Sequence, residues 1–208
     1  MSLDEHNLQV LNGLAASYMM SGNFEVAAPM YARSIDVRPD STTYGNLALM
    51  HYYLGNHDLA IANIEQGIAL APNNHLMWAN LGDILTNAKQ HDDARVAYLR
   101  ARELVATEIG VNPNDPALMM DAAWIAAMLG EQATAHARIE KSLEISPDDP
   151  YASYIEGLIF NRYDDTDAAL ASLERAVAKG YSTTILKAEP FLSGLRDNPR
   201  FDELVNAG

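Results

Sequence analysis

Apolar side chains recur along most of this sequence at intervals of three and four residues, separated by polar positions. One stretch carries Tyr44, Leu47 and Ala48 at this spacing. A second stretch, beyond a short polar turn, carries Ala60 and Ile64. Such spacing places the apolar residues on one face of an α-helix. No stretch of useful length alternates apolar and polar residues as a half-buried strand does, so the pattern predicts an all-α protein.

The helical pattern itself repeats along the chain. Pro39 and Pro72 end the similar segments SIDVRPD and GIALAPN, 33 residues apart. Alignment from these prolines gives five copies, at about 8–40, 41–74, 75–115, 116–149 and 150–180. Each copy predicts a helix, a short turn and a second helix. The third copy is seven residues longer than a copy of 34, which is about two helical turns, so we expect its second helix to be extended and to protrude.

Small residues occupy two fixed positions in every copy, where paired helices would have to approach closely. The first helix carries Ala15, Ala48, Gly82, Ala123 or Gly157, and the second helix carries Ala27, Ala60, Ala94, Ala135 or Ala169. A glycine inside a helix costs about 0.5–1 kcal/mol relative to alanine. Close packing between the two helices of a pair would explain why glycine is present despite that cost.

These copies resemble the tetratricopeptide repeat, whose first helix carries the pattern W-x2-L-G. Residues 78–82, Trp-Ala-Asn-Leu-Gly, match it best. The resemblance covers nearly the whole chain. It implies about five helix-turn-helix repeats that stack into a right-handed superhelix, an α-solenoid, with 1–208 forming a single domain.

The last segment, 181–208, departs from the repeat and predicts a helical C-terminal cap. Phe191, Leu195, Phe201 and Leu204 are spaced to cover the open end of a repeat stack. The segment is similar to the closing part of the C-terminal tetratricopeptide module of bacterial signalling proteins, which follows kinase, cyclase or winged-helix regulator domains. The Val-Asn-Pro-Asn-Asp-Pro run at 111–116 strengthens that likeness. None of those catalytic or DNA-binding domains is in this sequence.

The net charge of the chain argues against anionic partners. Fourteen basic and 28 acidic residues give a net charge of −14. Such a chain repels phosphate backbones and anionic lipid headgroups, which disfavours nucleic acid and membrane surfaces as partners. A neutral or basic protein or peptide is favoured instead.

The sequence carries no recognisable catalytic, metal or cofactor motif. It has no cysteine, and its six histidines show no metal-ligand spacing. The acidic run at 164–167 lacks the glycine and the later glutamate of a calcium loop, so helix capping explains it better. We therefore expect no enzymatic activity, no metal and no cofactor.

The hydropathy pattern predicts a soluble protein. The start of the chain does not have the basic and apolar regions of a signal peptide. The longest apolar run, 122–129, is far shorter than the roughly 20 residues needed to cross a bilayer. The choice between cytoplasm and periplasm stays open.

The resemblance also implies a binding surface, because the first helix of each repeat in this class lines a concave groove. The candidate groove residues are Asn12, Asn46, Tyr53, Asn80, Asp83, Met120, Trp124, Tyr151 and Tyr154. Asn46 and Asn80 occupy the same position in successive copies. A side-chain amide donates and accepts at once, so the pair could hold an extended peptide backbone. The alternative is that both asparagines are ordinary surface residues.

Two further features of the predicted groove bear on its ligand. Met120, Trp124, Tyr151 and Tyr154, with Met128, would form an aromatic and thioether patch suited to binding. The alternative for this patch is packing against a neighbouring repeat or the C-terminal segment. The positions that carry lysine and arginine in the carboxylate clamp of chaperone-binding repeats hold no cation here, which argues against that ligand; they are Asn12, Ala16, Asn46, Leu76 and Asn80.

Two functional hypotheses follow. The first is a non-catalytic scaffold that binds a protein or peptide segment in the groove, as the sensing or docking module of a bacterial signalling protein. The second is a self-assembly scaffold that forms a homodimer through exposed repeat ends or the extended helix. A small-molecule enzyme is a third class, and nothing in the residues favours it.

Overall fold

The computed structural model describes residues 3–206, with side chains described from residue 8 onward. All regular structure in that range is helical, which confirms the all-α prediction. Five helix pairs are followed by a shorter helical segment. The helices are α1 (Leu3–Met20), α2 (Phe24–Val37), α3 (Ser41–Tyr53), α4 (His57–Leu70), α5 (His75–Asn87), α6 (His91–Val111), α7 (Pro116–Met128), α8 (Gln132–Ile145), α9 (Pro150–Arg162), α10 (Thr166–Ala178), α11 (Thr183–Ala188) and α12 (Pro199–Asn206), with a 3-10 helix at Pro190–Leu195 between the last two.

The chain divides into two compact units, Met1–Ala97 and Tyr98–Gly208, and the division falls within α6. In the first unit α1 packs on α2 and α3 packs on α4, while α3 also contacts α5. In the second unit α7 packs on α8 and α9 packs on α10, while α7 also contacts α9. Each unit therefore has the helix-turn-helix arrangement of tetratricopeptide repeats.

Small residues are buried at the predicted close-contact positions of both helices in every repeat. Ala15, Ala48 and Ala123 are completely buried on the first helices, and Gly82 and Gly157 are buried at the equivalent position. On the second helices, all five alanines predicted to lie at a close contact are buried as well. One turn further along lie large residues that are at most 2% exposed: Tyr31, Ile64, Tyr98, Ile139 and Leu173.

The turn inside each repeat has the same backbone geometry although its residue changes. The second residue after the first helix has a positive φ in all five copies, including 62° at Lys89 and 61° at Asp164. In the second copy, Gly55 N donates to Tyr52 O and Asn56 N donates to His51 O, at 3.0 and 2.8 Å. Equivalent bonds close the other four turns. This is the Schellman arrangement, which satisfies the free carbonyl groups at a helix end.

The second helix of the third copy is extended, as its spacing predicted. α6 has 21 residues, whereas the other second helices, α2, α4, α8 and α10, have 13 or 14. Its final residue, Val111, is 76% exposed. Asp115 then caps α7 by accepting hydrogen bonds from the backbone N–H groups of Ala117 and Leu118.

The C-terminal segment packs against the last repeat. The 3-10 helix contacts α9, and α12 contacts α10 and α11. Leu186, Leu192, Leu195 and Phe201 are all buried. Two of the four residues predicted to form the cap, Leu195 and Phe201, are therefore in its core, whereas Phe191 and Leu204 are half-buried.

Within the described residues, no helix is both long enough and apolar enough to cross a bilayer.

Substituting glycine at one close helix contact should destabilise the fold. A Cβ atom added at Gly157 would lie 2.7 Å from Leu173 Cδ2 and 3.2 Å from the backbone oxygen of Ala169. Because Leu173 is fully buried, we expect Gly157→Ala to lower the free energy of unfolding by roughly 1–3 kcal/mol, as overpacking does. Urea denaturation followed by circular dichroism measures this change.

Gly13→Ala is the matched control, because Gly13 is an exposed residue of α1 with no atom within 4 Å of an added Cβ. Alanine there should raise the free energy of unfolding by up to about 1 kcal/mol through helix propensity alone. Equal effects at the two positions would contradict the close-contact explanation.

Candidate functional site

In the first unit, two of the candidate asparagines lie on neighbouring helices. Asn46 is on α3 and Asn80 is on α5, and these helices are in contact. Both residues are half-buried, and among the described residues the structure gives neither side chain a hydrogen bond. Each amide therefore keeps its donor and acceptor groups for a ligand. We call Asn46, Asn80 and Asp83 the asparagine face.

Gly45 and Met77 bring α3 and α5 together beside this face. A Cβ atom at Gly45 would lie 2.8 Å from Met77 Cε, so no larger residue fits without displacing that side chain. Met77 Sδ also lies 3.2 Å from the Cβ position of Gly67 on α4. The thioether therefore fills the space among three helices and packs α3 closely against α5 beside the asparagine face.

Side-chain contacts hold the ends of α3 and α5. Asn87 Nδ2 donates to Tyr52 Oη at 3.2 Å and to the backbone oxygen of Asp83 at 3.0 Å. Tyr53 stacks on Phe24 of α2, with ring centroids 4.7 Å apart and an interplanar angle of 19°. Tyr53 is half-buried, so one face of its ring is already used in packing.

Asn12 on α1 is also half-buried, but its Oδ1 atom is buried and has no hydrogen-bond partner among the described residues. A buried acceptor without a donor costs about 1–3 kcal/mol. Asn12 thus differs from Asn46 and Asn80, whose amide groups are not among the buried unpaired atoms.

In the second unit, the C-terminal segment lies against candidate groove residues of α7 and α9. Trp124 packs edge-to-face on Phe191, with ring centroids 5.1 Å apart and an interplanar angle of 74°. Asn161 Nδ2 donates to the backbone oxygen of Phe191 at 2.9 Å. Tyr154 Oη donates to Glu189 Oε2 at 2.8 Å. The chain therefore supplies its own occupant for this part of the predicted groove.

The side chains of the aromatic patch in the second unit differ in their exposure to solvent. Trp124 and Tyr154 are 6% and 7% exposed, and both contact the C-terminal segment. Met120 is half-buried. Tyr151 is 48% exposed and contacts the ring of Tyr181 edge-on, with centroids 5.1 Å apart.

Glu189 is a buried carboxylate that the sequence analysis did not single out. It is only 3% exposed, and Oε1 accepts a hydrogen bond from the backbone N–H of Phe191 at 3.1 Å. Tyr181 stacks on Tyr154 with centroids 4.4 Å apart. Burial, with the neighbouring Tyr151 and Glu189, raises the pKa of Tyr181 well above its ordinary value. The one local signal for this role is the position of Glu189 directly before Pro190, as a cap of the 3-10 helix.

The fold favours the neutral form of one histidine of α3, His51. His51 Nδ1 is buried without a hydrogen-bond partner among the described residues. Burial lowers the pKa of His51 below its ordinary value of 6.5, because a charged imidazolium loses solvation there.

Among the described residues, no group of three or more histidine, cysteine, aspartate or glutamate side chains is placed to hold a metal ion.

The comparison with protein families agrees with this geometry. The model of the family described as tetratricopeptide repeat matches residues 6–73 and 74–148, which is more than half of the chain. The chain belongs to the tetratricopeptide repeat family. Members of this family generally act as non-catalytic scaffolds that bind proteins or peptides.

Solved structures show the same fold at low sequence identity. A thermophilic tetratricopeptide repeat protein of Thermus thermophilus superposes with a TM-score of 0.64 at 19% identity, over 89% of this chain and 98% of that one. PilW, a widely conserved type IV pilus biogenesis factor, gives 0.56 at 16% identity, over 95% and 90%. PilF of Pseudomonas aeruginosa also gives 0.56 at 16% identity, over the full length of both chains. At this identity the likeness concerns the fold alone.

A curated relative matches over a shorter stretch. The SGT1 homolog of Oryza sativa subsp. japonica is 27% identical over 88 residues, which are 42% of this chain. The match spans about a quarter (24%) of that relative's own length.

Removing the donor to the buried carboxylate should weaken the C-terminal segment. We expect Tyr154→Phe to lower the free energy of unfolding by roughly 1–3 kcal/mol, because Glu189 loses a hydrogen bond that water cannot replace. The control Tyr151→Phe, at a half-exposed ring, should change it by less than about 0.5 kcal/mol. In a double-mutant cycle with Glu189→Gln, additive effects would show that the two side chains do not interact.

Acidification should destabilise the protein in part through His51. Since the folded-state pKa of His51 is depressed, the unfolded chain binds a proton more readily, and stability is lost as the pH falls from about 6.5 toward and below the folded-state value. We expect the stability of His51→Leu relative to the native protein to rise as the pH falls from 7 to 5. Denaturation at several pH values measures this, with the exposed His91→Leu as control. A pH-independent difference for His51→Leu would contradict the prediction.

Proposed function

We propose that this chain is a non-catalytic scaffold that binds an extended protein or peptide segment on the asparagine face of its first unit. The observation that carries the proposal is the pair Asn46 and Asn80. They occupy equivalent positions on contacting helices, and among the described residues neither amide is used in a side-chain hydrogen bond. Two such amides can form hydrogen bonds with successive backbone groups of an extended segment. Because these bonds do not involve the side chains of the segment, they do not depend on its sequence.

The second unit offers an intramolecular example of the same chemistry. Asn161 lies on the first helix of its repeat and donates to the backbone oxygen of Phe191, in a segment that is not part of any repeat. In this contact the side-chain amide of a first helix holds a backbone oxygen of another segment. It supports an equivalent use of Asn46 and Asn80 toward a partner.

Charge supports a neutral or basic partner. The chain carries a net charge of −14, and Asp83 adds a carboxylate to the asparagine face. No lysine or arginine stands at the five clamp positions, which argues against recognition of a terminal carboxylate there. A polyanion such as nucleic acid would be repelled by the net charge.

The likeness of the C-terminal segment to that of bacterial signalling proteins supports a docking or sensing role within such a protein. In that arrangement the asparagine face would receive the regulatory partner, while the segment that packs on α9 and α10 closes the repeat array. The family's general use in protein interaction is compatible with this role.

Self-assembly is a second candidate function, and one observation favours it. Val10 and Leu14 lie one turn apart on α1 and are 64% and 45% exposed, so they form an apolar strip at the first repeat. Light scattering over a range of concentrations tests this candidate. A mass that stays monomeric at high micromolar concentration would rule it out.

The peptide-binding proposal can be tested with peptides selected from a phage library of random 12-residue sequences on the full chain. We expect Asn46→Ala combined with Asn80→Ala to weaken the selected peptides by about tenfold or more, as the loss of two hydrogen bonds should. Asn112→Ala combined with Asn114→Ala, at exposed positions after α6, is the matched control and should leave affinity unchanged. Fluorescence polarisation measures both.

Backbone recognition gives the experiment a second readout. N-methylation of central amides in a selected peptide should weaken binding more than alanine substitution of its side chains. If the asparagine variants bind every selected peptide as tightly as the native chain does, the asparagine face is not the binding surface.

A further inference from the structure

The C-terminal half of α6, which includes its extra turns, borders a groove. The groove lies in the second unit, between the end of α6 and the pair α7–α8, and has a volume of about 300 Å³. Its lining consists of Arg102, Glu103, Val105, Ala106, Ile109, Ala122, Ala126, Glu131, Thr134 and Arg138. We call it the α6 groove. It uses a different side of α7 from the one that carries Met120 and Trp124.

The floor of the α6 groove is apolar because small side chains of α7 face aliphatic side chains of α6. Ala122 and Ala126 are buried, as is Val105 opposite them, while Ile109 is half-buried and Ala106 is exposed. Two alanines leave space that larger residues would fill. An aliphatic side chain entering the groove would therefore replace water against apolar surface.

The charged residues at the rim differ in whether they have a partner of opposite charge. Glu131 pairs with Arg102 at 2.7 Å, and Glu103 pairs with Arg100 at 3.0 Å. The guanidinium of Arg138 instead donates to the sulfur of Met119 at 3.4 Å, which is a weak acceptor. Both carboxylates of the lining therefore have a cation, whereas Arg138 has no carboxylate partner among the described residues.

We propose that the α6 groove is a second docking site, which binds a partner segment carrying an aspartate or glutamate next to an aliphatic residue. The carboxylate pairs with Arg138, whose planar guanidinium can form two parallel hydrogen bonds to it. The aliphatic side chain lies on Ala122, Ala126 and Ile109. Charge complementarity thus selects an acidic group locally, although the chain as a whole is strongly acidic.

The form of the groove favours a protein segment as the occupant. Its volume is at the lower end of the range for small-molecule sites, which usually bury most of their ligand. The α6 groove is partly open to solvent, so an occupant remains partly exposed, as a side chain presented by a partner does. A single unpaired arginine also suits one carboxylate better than a polyanion.

The same phage library of 12-residue peptides tests this proposal, now selected in parallel on the native chain and on Arg138→Gln. We expect the native chain to enrich a class of peptides with an acidic residue beside Leu, Ile or Met, and Arg138→Gln to lose that class. A synthetic peptide of the class should bind Arg138→Gln at least about tenfold more weakly. Its Glu→Gln version should lose affinity for the native chain by a similar factor.

The groove variants Arg138→Gln and Ala106→Leu each have a matched control, so that a loss of binding can be distinguished from a loss of folding. Ala106→Leu places a larger side chain in the groove from an exposed helical position, so it should block the peptide without unfolding the protein. Ala137→Leu, exposed on α8 outside the lining, and Arg33→Gln, exposed on α2, should bind normally. Circular dichroism confirms that each variant is folded.

Three outcomes would overturn the proposal. The first is that native and Arg138→Gln selections yield the same peptides. The second is that the acidic peptides are lost with Asn46→Ala and Asn80→Ala rather than with Ala106→Leu, which would place them on the asparagine face. The third is that free 4-methylpentanoate competes as strongly as the whole peptide, which would make a small carboxylate the ligand. If the first outcome is found while peptides that depend on Asn46 and Asn80 are still selected, only the α6 groove is contradicted.

Discussion

The close approach of paired helices at one small residue on each is the contact on which the rest of this structure depends. At Gly157 the two helices of the last repeat are so near that even a methyl group would overlap Leu173. The same contact uses alanine in most other repeats, and those alanines are completely buried. Because packing at this distance excludes water and aligns the large residues beside it, each pair forms a compact unit with its first helix available on one side.

The turn between the helices is determined by backbone hydrogen bonds more than by the residue at its centre. Lys89 and Asp164 adopt a left-handed conformation that costs about 1–2 kcal/mol for a residue with a Cβ atom. They do so because the same pair of backbone bonds closes the turn in every repeat. The gain from packing two helices exceeds this local cost, so the repeat geometry persists where glycine is absent.

The two units use their first helices differently. In the first unit, we propose that the amides of Asn46 and Asn80 bind a partner. In the second unit Tyr154, Asn161 and Trp124 receive the C-terminal segment through a carboxylate, a backbone oxygen and an aromatic ring. The extension of α6 adds a third kind of surface, where an arginine without a carboxylate partner among the described residues borders an apolar floor. The candidate binding surfaces thus lie where the repeat is interrupted or ends as well as within it.

The sequence by itself determined the number and length of the helix pairs, the extension of α6 and the buried small positions. These follow from periodicity and spacing within one or two helices, which are local properties. Only the tertiary structure decided that Trp124 and Tyr154 pack against the C-terminal segment, that Glu189 is buried, and that Arg138 borders a groove. An aromatic residue suits a ligand and a packing partner equally well, and a carboxylate or a guanidinium is normally solvated. Their roles depend on which residues, 30 or more positions away in some cases, the packed helices bring beside them.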